Sequence, residues 1–137
     1  MGCLFCSIAK KEIPAEIIFE DDKTLALLDI RPRAPGHTLV IPKKHAANVL
    51  ESDPESLQAL ALTIRKVTGI LQACLEPAGF TTGINHGEMA GQAVAHLHVH
   101  ILPRFSGDGG GNVHSIVNNP GSESVAQIAS RIRQKKV

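Results

Sequence analysis

The sequence predicts an α+β fold, with a mainly antiparallel five-stranded sheet, one long helix and short helices at both ends. Three observations carry that expectation. Only one long segment repeats its apolar residues at helical steps; five short apolar runs bounded by turn residues surround it; and the last run alternates histidine with aliphatic side chains. A chain of 137 residues suits one domain with one core, so residues 1–137 are expected as a single unit, with a helix in 1–12 and an extension over 106–137. With 43% hydrophobic residues but only 4 Phe and no Trp or Tyr, that core must be aliphatic.

In chain order, Cys3–Lys11 can form a short helix that Pro14 ends. Glu16–Glu20 reads as a strand, Asp21–Lys23 as a turn and Thr24–Ile30 as the second strand. Two prolines and a glycine make Arg31–Gly36 a loop, and Thr38–Pro42 is the third strand. Asp53 can cap the long helix with Pro54 at its first position, and Ser52 with Glu55 offers an alternative capping box. Leu57, Leu60, Ile64, Val67, Leu71 and Leu75 recur three or four residues apart and form one apolar face. Pro77 and Gly79 end that helix. Phe80–Asn85 is the fourth strand, Gly87–Gly91 a loop and Val94–Leu102 the fifth strand. Gly107–Gly111 is a flexible loop, and Val125, Ile128, Ala129 and Ile132 mark a last short helix.

Charge and composition exclude several classes. A net charge of +1 argues against a broad nucleic-acid footprint. No apolar run reaches membrane-spanning length, and the N-terminus lacks the regions of a secretory signal. Met1-Gly2 begins a myristoylation pattern that wants Ser or Thr where Cys6 stands. The expectation is a cytoplasmic protein, with a nuclear location also open. Three cysteines, an odd number, do not suit a disulfide framework; Cys3-x-x-Cys6 reads as a metal or redox pair, and Cys74 as a core residue.

The chemistry lies in the fifth strand. His96, His98 and His100 alternate with Leu97, Val99 and Ile101, so a strand places the imidazoles on one face and the aliphatics on the other. Such a face can be merely solvated, can bind a metal, or can perform nucleophilic and acid–base work, since neutral imidazole attacks phosphorus and titrates near neutral pH. Spacing does not separate the last two. The neighbours favour phosphate: Gly91 lets backbone amides approach an anion, while Gln92 and Asn85 are neutral donors close to the histidines. Leu27 and Asp29, two apart on one strand, set a carboxylate beside an apolar wall, which suits a ribose diol beside a base. His37, His86 and His114 read as solvated loop residues.

The run His96-Leu97-His98-Val99-His100-Ile101-Leu102 resembles the signature of the histidine-triad (HIT) superfamily. Phe5, the segment Ile13–Asp22, Asp29-Ile30, Gly36–His45 and Gly91-Gln92 look like its Hint branch, whereas Leu102-Pro103-Arg104 with Gly107-Asp108 is closer to the bacterial Hit and Fhit branches. The likeness covers about residues 3–105. It implies a homodimer that binds a purine nucleotide and releases a monophosphate such as AMP, with no nucleic-acid or membrane partner. His98 would attack the α-phosphorus, His100 would contact the phosphate and help the leaving group, and the carbonyl at His96 would orient His98. Phe5, Leu27, Asp29, Asn85, Gly91, Gln92 and Ala93 would line the nucleotide site. Relatives with the same cysteine pair hold structural Zn2+, which implies Cys3, Cys6, His45 and His96 as its ligands and makes residues 1–12 a zinc-ligand helix. The substrates implied are nucleoside 5′-phosphoramidates or aminoacyl-adenylates, with dinucleoside polyphosphates, or binding with negligible turnover, as alternatives. Relatives usually carry Ser or Thr where Ala93 stands.

Overall fold

Among the described residues five short strands, β1 (Ile17–Glu20), β2 (Thr24–Leu28), β3 (Thr38–Pro42), β4 (Gly79–Gly83) and β5 (Val99–Arg104), form one open sheet in the order β1-β2-β3-β5-β4, and every neighbouring pair is antiparallel. The computed structural model describes residues 2–135, so the expected limits at 1 and 137 lie outside the described residues. Along the chain run α1 (Leu4–Ala9), β1, β2, β3, α2 (Pro54–Leu75), β4, β5 and α3 (Val125–Lys135), with single 3-10 turns at Glu88–Ala90 and Val113–Ser115.

Alternation along the strands feeds two apolar layers. Ala26, Val40, Val99 and Ile101 point to α2 and meet Leu60, Val67 and Leu71 of its buried stripe. Leu25, Leu27, Leu39 and Ile41 point the other way and meet Phe5 and Ile8 of α1. β2 and β3 are therefore buried on both faces. Asp53 caps α2 by accepting a 2.8 Å hydrogen bond from the Ser56 amide, and Lys44 at 2.7 Å holds its carboxyl down at about 2. The alternative cap is unused: the Ser52 hydroxyl is buried without a partner. The buried hydroxyls of Thr24 and Thr63, 2.6 Å apart, tie β2 to α2.

Three expectations need correction. The fifth strand starts at Val99, not at Val94, because residues 94–98 bond elsewhere: the Leu97 amide donates to Ala46 O at 2.7 Å and the His96 amide to Val94 O at 2.8 Å. The second strand stops at Leu28, so Asp29 lies just beyond it, where its amide donates to His37 O. Cys74 is exposed on α2 and does not enter the core. Among the described residues no helix is long and apolar enough to cross a membrane.

Candidate functional site

The three histidines divide between two clusters. His98 is buried, and its Nδ1 lies 2.7 Å from the His96 carbonyl oxygen. A carbonyl only accepts, so Nδ1 carries the proton and the lone pair of the neutral ring stands at Nε2. The His98 and His100 rings lie 5.1 Å apart, so the expected neighbouring imidazoles are present. The His96 ring instead turns to the N-terminal cysteines.

A second chain of hydrogen bonds fixes His100. The Arg33 amide donates to His37 Nδ1 at 3.1 Å, so the proton of a neutral His37 sits on Nε2. That Nε2 lies 2.9 Å from His100 Nδ1, which must accept, and His100 therefore carries its proton on Nε2. Burial keeps both rings neutral: it lowers the affinity of His37 for a proton, and it drives His100 down to about 4, with His98 and His37 adding to the effect. The Asp29 carboxylate, 3.5 Å from His37 Nε2, opposes the shift in both rings. His37, read from sequence as a solvated loop residue, is in fact 4% exposed and belongs to the site. A strand-register argument could have found it: Leu39, two residues on, pairs with His100. Gly36 makes the approach feasible, since its φ is +81° and a Cβ there would lie 2.3 Å from Leu75 Cδ1.

The buried neutral state of His100 has a pH signature. Its folded-state affinity for protons is depressed from 6.5 to about 4, so the unfolded chain binds more protons in that window. The corresponding stability is present above about pH 6.5 and is lost as pH falls toward 4. The melting temperature should fall over that range, and His100→Asn should flatten part of the slope. An identical slope in the variant would show that His100 does not contribute.

A second cluster joins α1 to the sheet. The ligating atoms of Cys3, Cys6, His45 and His96 all lie within 4.8 Å of one another. His96 Nδ1 is 3.3 Å from Cys3 Sγ, 3.5 Å from Cys6 Sγ and 3.3 Å from His45 Nδ1, and Cys6 Sγ is 3.4 Å from His45 Nδ1. One nitrogen lone pair cannot serve three hydrogen-bond partners at once. Tetrahedral zinc would place its ligand atoms about 3.3 Å apart for two nitrogens and about 3.6 Å for sulfur and nitrogen. The donor set and spacing thus fit a four-coordinate metal. His96 Nε2 donates to Pro42 O at 2.8 Å, which leaves Nδ1 free to ligate. Burial and the neighbouring Cys3 raise the Cys6 thiol, as two adjacent sulfurs would without a cation between them. Asp29, His37 and His100 also cluster, but their 2.9 Å contact between nitrogens is a hydrogen-bond distance.

Around the histidines, Gly91 has a φ of +98° and turns the chain into the 92–98 segment, with Asn85 beside it. Gln92 is not a free donor. Its Oε1 accepts from the Gly87 amide at 2.9 Å, and its Nε2 donates to Ala47 O at 2.7 Å and Val94 O at 3.0 Å. It latches the turn that presents Ala93, which is exposed. Phe5 and Leu27, expected to line a ligand, are buried in the α1 layer, and Phe5 packs edge-on against His98. Two open clefts adjoin the imidazoles. One, of about 490 Å³, runs along Leu28–His37 past Asp29. The other, of about 280 Å³, is walled by His37, Asn85 and His100, with Val113 and Ile116 from the C-terminal extension, which no sequence motif marks.

Buried, neutral His37 and His100 with His98 beside them, next to a separate Cys/His cluster, define a class of small α+β histidine proteins. Residues 10–107 match the HIT domain family model. The chain belongs to the HIT family. It is 44% identical to Protein hit of Bacillus subtilis over 138 residues, covering 98% of this chain and 94% of that one. It is also similar to a solved HIT family hydrolase from Legionella pneumophila, with 42% identity, TM-score 0.66, and 74% of this chain and 91% of that chain covered. A solved hypothetical histidine triad nucleotide-binding protein from Sulfolobus tokodaii gives 36% identity and a TM-score of 0.74, with 96% of this chain and 87% of that chain covered.

Proposed function

We propose that this protein hydrolyses nucleoside 5′-phosphoramidates or aminoacyl-adenylates to a nucleoside monophosphate such as AMP, through a nucleotidyl-histidine on His98. The observation that carries the reading is the hydrogen bond from His98 Nδ1 to His96 O, which leaves the Nε2 lone pair for attack. Nε2 bonds to the α-phosphorus as the bond to the leaving group breaks. The leaving group departs with that electron pair, hydrogen-bonded by the neutral His100 Nε2–H, and takes its proton from solvent. Water then supplies hydroxyl to phosphorus and a proton to replace the one spent, and the bond to His98 breaks with its pair returning to Nε2.

The other residues position the nucleotide. Asn85 and the amide of Ala93 serve the phosphate; the amides of Gly91 and Gln92 are already bonded to Glu88 O and Gly87 O, and with the Gln92 side chain they hold that turn in place. Asp29 takes the ribose hydroxyls at the mouth of the cleft it walls. Phe5 and Leu27 stand behind the site. Zn2+ held by Cys3, Cys6, His45 and His96 supplies a closed structural staple for α1. The protein acts as a homodimer, consistent with the position of β4 at a sheet edge and with the exposed Leu62 and Ile70 on α2. The test is rapid base quenching of a reaction with adenosine phosphoramidate, which preserves an acid-labile P–N bond, followed by intact mass and fragment analysis. Covalent monophosphate on His98 is expected; turnover without any adduct, or an adduct elsewhere, would sink the reading.

Ala93 carries a prediction about leaving groups. A methyl cannot donate where relatives place a hydroxyl, and losing one such donor can cost about 1–3 kcal/mol of transition-state stabilisation. Ala93→Ser should raise kcat/KM for an amine leaving group about tenfold and do less for an aryl phosphate ester that departs unaided. Parallel assays on the two substrates decide it, and equal or lower rates in a folded Ser variant would show that the site compensates for the methyl.

A further inference from the structure

The Cys/His cluster and the candidate nucleophile meet in one residue. His96 points Nδ1 at the two sulfurs and ties Nε2 to Pro42 O, while its own carbonyl accepts from His98 Nδ1 at 2.7 Å. His96 is wholly buried, so its ring and its carbonyl do not reorient independently. A second link runs through α1. Phe5 lies between Cys3 and Cys6 in sequence, and its ring sits edge-on to His96 at 5.8 Å and to His98 at 5.2 Å. A helix of six residues has little stability of its own, so the place of α1 depends on what its side chains grip. Those grips are Phe5 and Ile8 in the apolar layer and the two cysteines in the cluster.

We infer that Phe5 and His96 are positioning residues through which a metal in the Cys3–Cys6–His45–His96 cluster fixes the ring and tautomer of His98, so that occupancy of the cluster sets kcat. Unanchored, an imidazole exchanges between two tautomers, and only one of them has its lone pair at Nε2. The His96 carbonyl selects that tautomer, and the Phe5 edge limits rotation of the ring. Both would be held at once, because the residues that would ligate a metal are the His96 ring and Cys3 and Cys6, which flank Phe5 at the start of α1. The substrate clefts are lined by Asp29, His37, Asn85 and His100 and not by cluster residues, so ground-state binding should be spared. This inference rests on the reading of His98 as nucleophile.

The experiment reads the tautomer as well as the rate. Side-chain ¹⁵N spectra of His98 are recorded on the full chain loaded with Zn2+, on the chain after chelation, and on His45→Ala, His45→Cys and Phe5→Leu. His45 is exposed and has no contact with His98, so His45→Ala weakens the cluster from its far side and His45→Cys restores a fourth ligand. Zn2+-loaded protein should show His98 protonated at Nδ1. Chelation and His45→Ala should mix the tautomers and lower kcat about tenfold, with KM within about twofold, and His45→Cys should recover both. Phe5→Leu retains all four ligands and the apolar volume, and should bind metal yet still lower kcat. This second variant decides the question if the chelated protein unfolds. A His98 tautomer and kcat indifferent to chelation, or to Phe5→Leu in a metal-loaded, folded protein, would overturn the inference. If wild type forms no nucleotidyl-histidine, the proposed function fails, while the ¹⁵N spectra still report whether the cluster orders His98.

Discussion

His98→Ala should lower hydrolysis by roughly 10⁴-fold or more while leaving monophosphate affinity within about tenfold of wild type. The asymmetry follows from what the side chain does. In the ground state the neutral Nε2 lone pair makes only a weak contact with a bound phosphate; in the chemical step it forms the bond to phosphorus. His98 also sits in a buried position, where truncation leaves a small cavity and frees the His96 carbonyl of its partner. Some loss of stability is therefore expected, and melting must be measured beside kcat and the AMP dissociation constant. Substantial residual turnover in folded protein would mean that another group attacks phosphorus. His100, whose lone pair at Nδ1 is occupied by the proton on His37 Nε2, would be a poor substitute.

The double change Cys3→Ser with Cys6→Ser should remove about one metal ion per chain and lower the melting temperature by ~10 °C or more. Two of four ligands are lost, and the hydroxyls that replace them bind zinc poorly. The energetic consequence spreads beyond the cluster because α1 covers one face of the sheet. Phe5 and Ile8 pack on Leu25, Leu27, Leu39 and Ile41, and looser docking of α1 exposes that layer to water. Metal content by mass spectrometry under non-denaturing conditions, together with calorimetry, checks the expectation. Wild-type protein that holds no metal when purified under reducing, chelator-free conditions would count directly against it.

Much of the architecture was legible because it depends on local periodicity. The helix from Pro54 to Leu75 announced itself through its apolar stripe, through Asp53 ahead of Pro54 and through the Pro77 stop, and it begins and ends within a residue or two of those signals. The alternation of Leu97, Val99 and Ile101 with the histidines placed the three aliphatics in the α2 layer as expected. The strand around them begins later than the alternation predicts, at Val99. Alternation in sequence signals which way side chains point, but a strand also needs a neighbour, and the amides of His96 and Leu97 find theirs in Val94 and Ala46.

The roles of individual polar side chains were legible only in part. Gln92 looked like a phosphate donor because a loop amide beside histidines has that chemistry, yet three backbone groups consume its hydrogen-bonding capacity. His37 looked solvated because it adjoins a loop rich in proline and glycine, yet it is buried against His100. Composition reveals neither environment, since both depend on partners distant in the chain, although strand register points to that of His37. His37 and His100 are 63 residues apart, and Gln92 and Ala47 are 45 apart.

By itself, then, the sequence determined the element order, the apolar faces and the set of residues able to do chemistry, because periodicity and side-chain type act over a few residues at a time. Only the tertiary structure decided which histidine does what. Strand register brings His37 to His100, the packing of α1 brings two cysteines to His96, and a single carbonyl selects the tautomer of His98. Proton positions and ligand sets are properties of atoms within about 3.5 Å of one another. Contacts at that range between segments far apart in sequence exist only once the chain has folded.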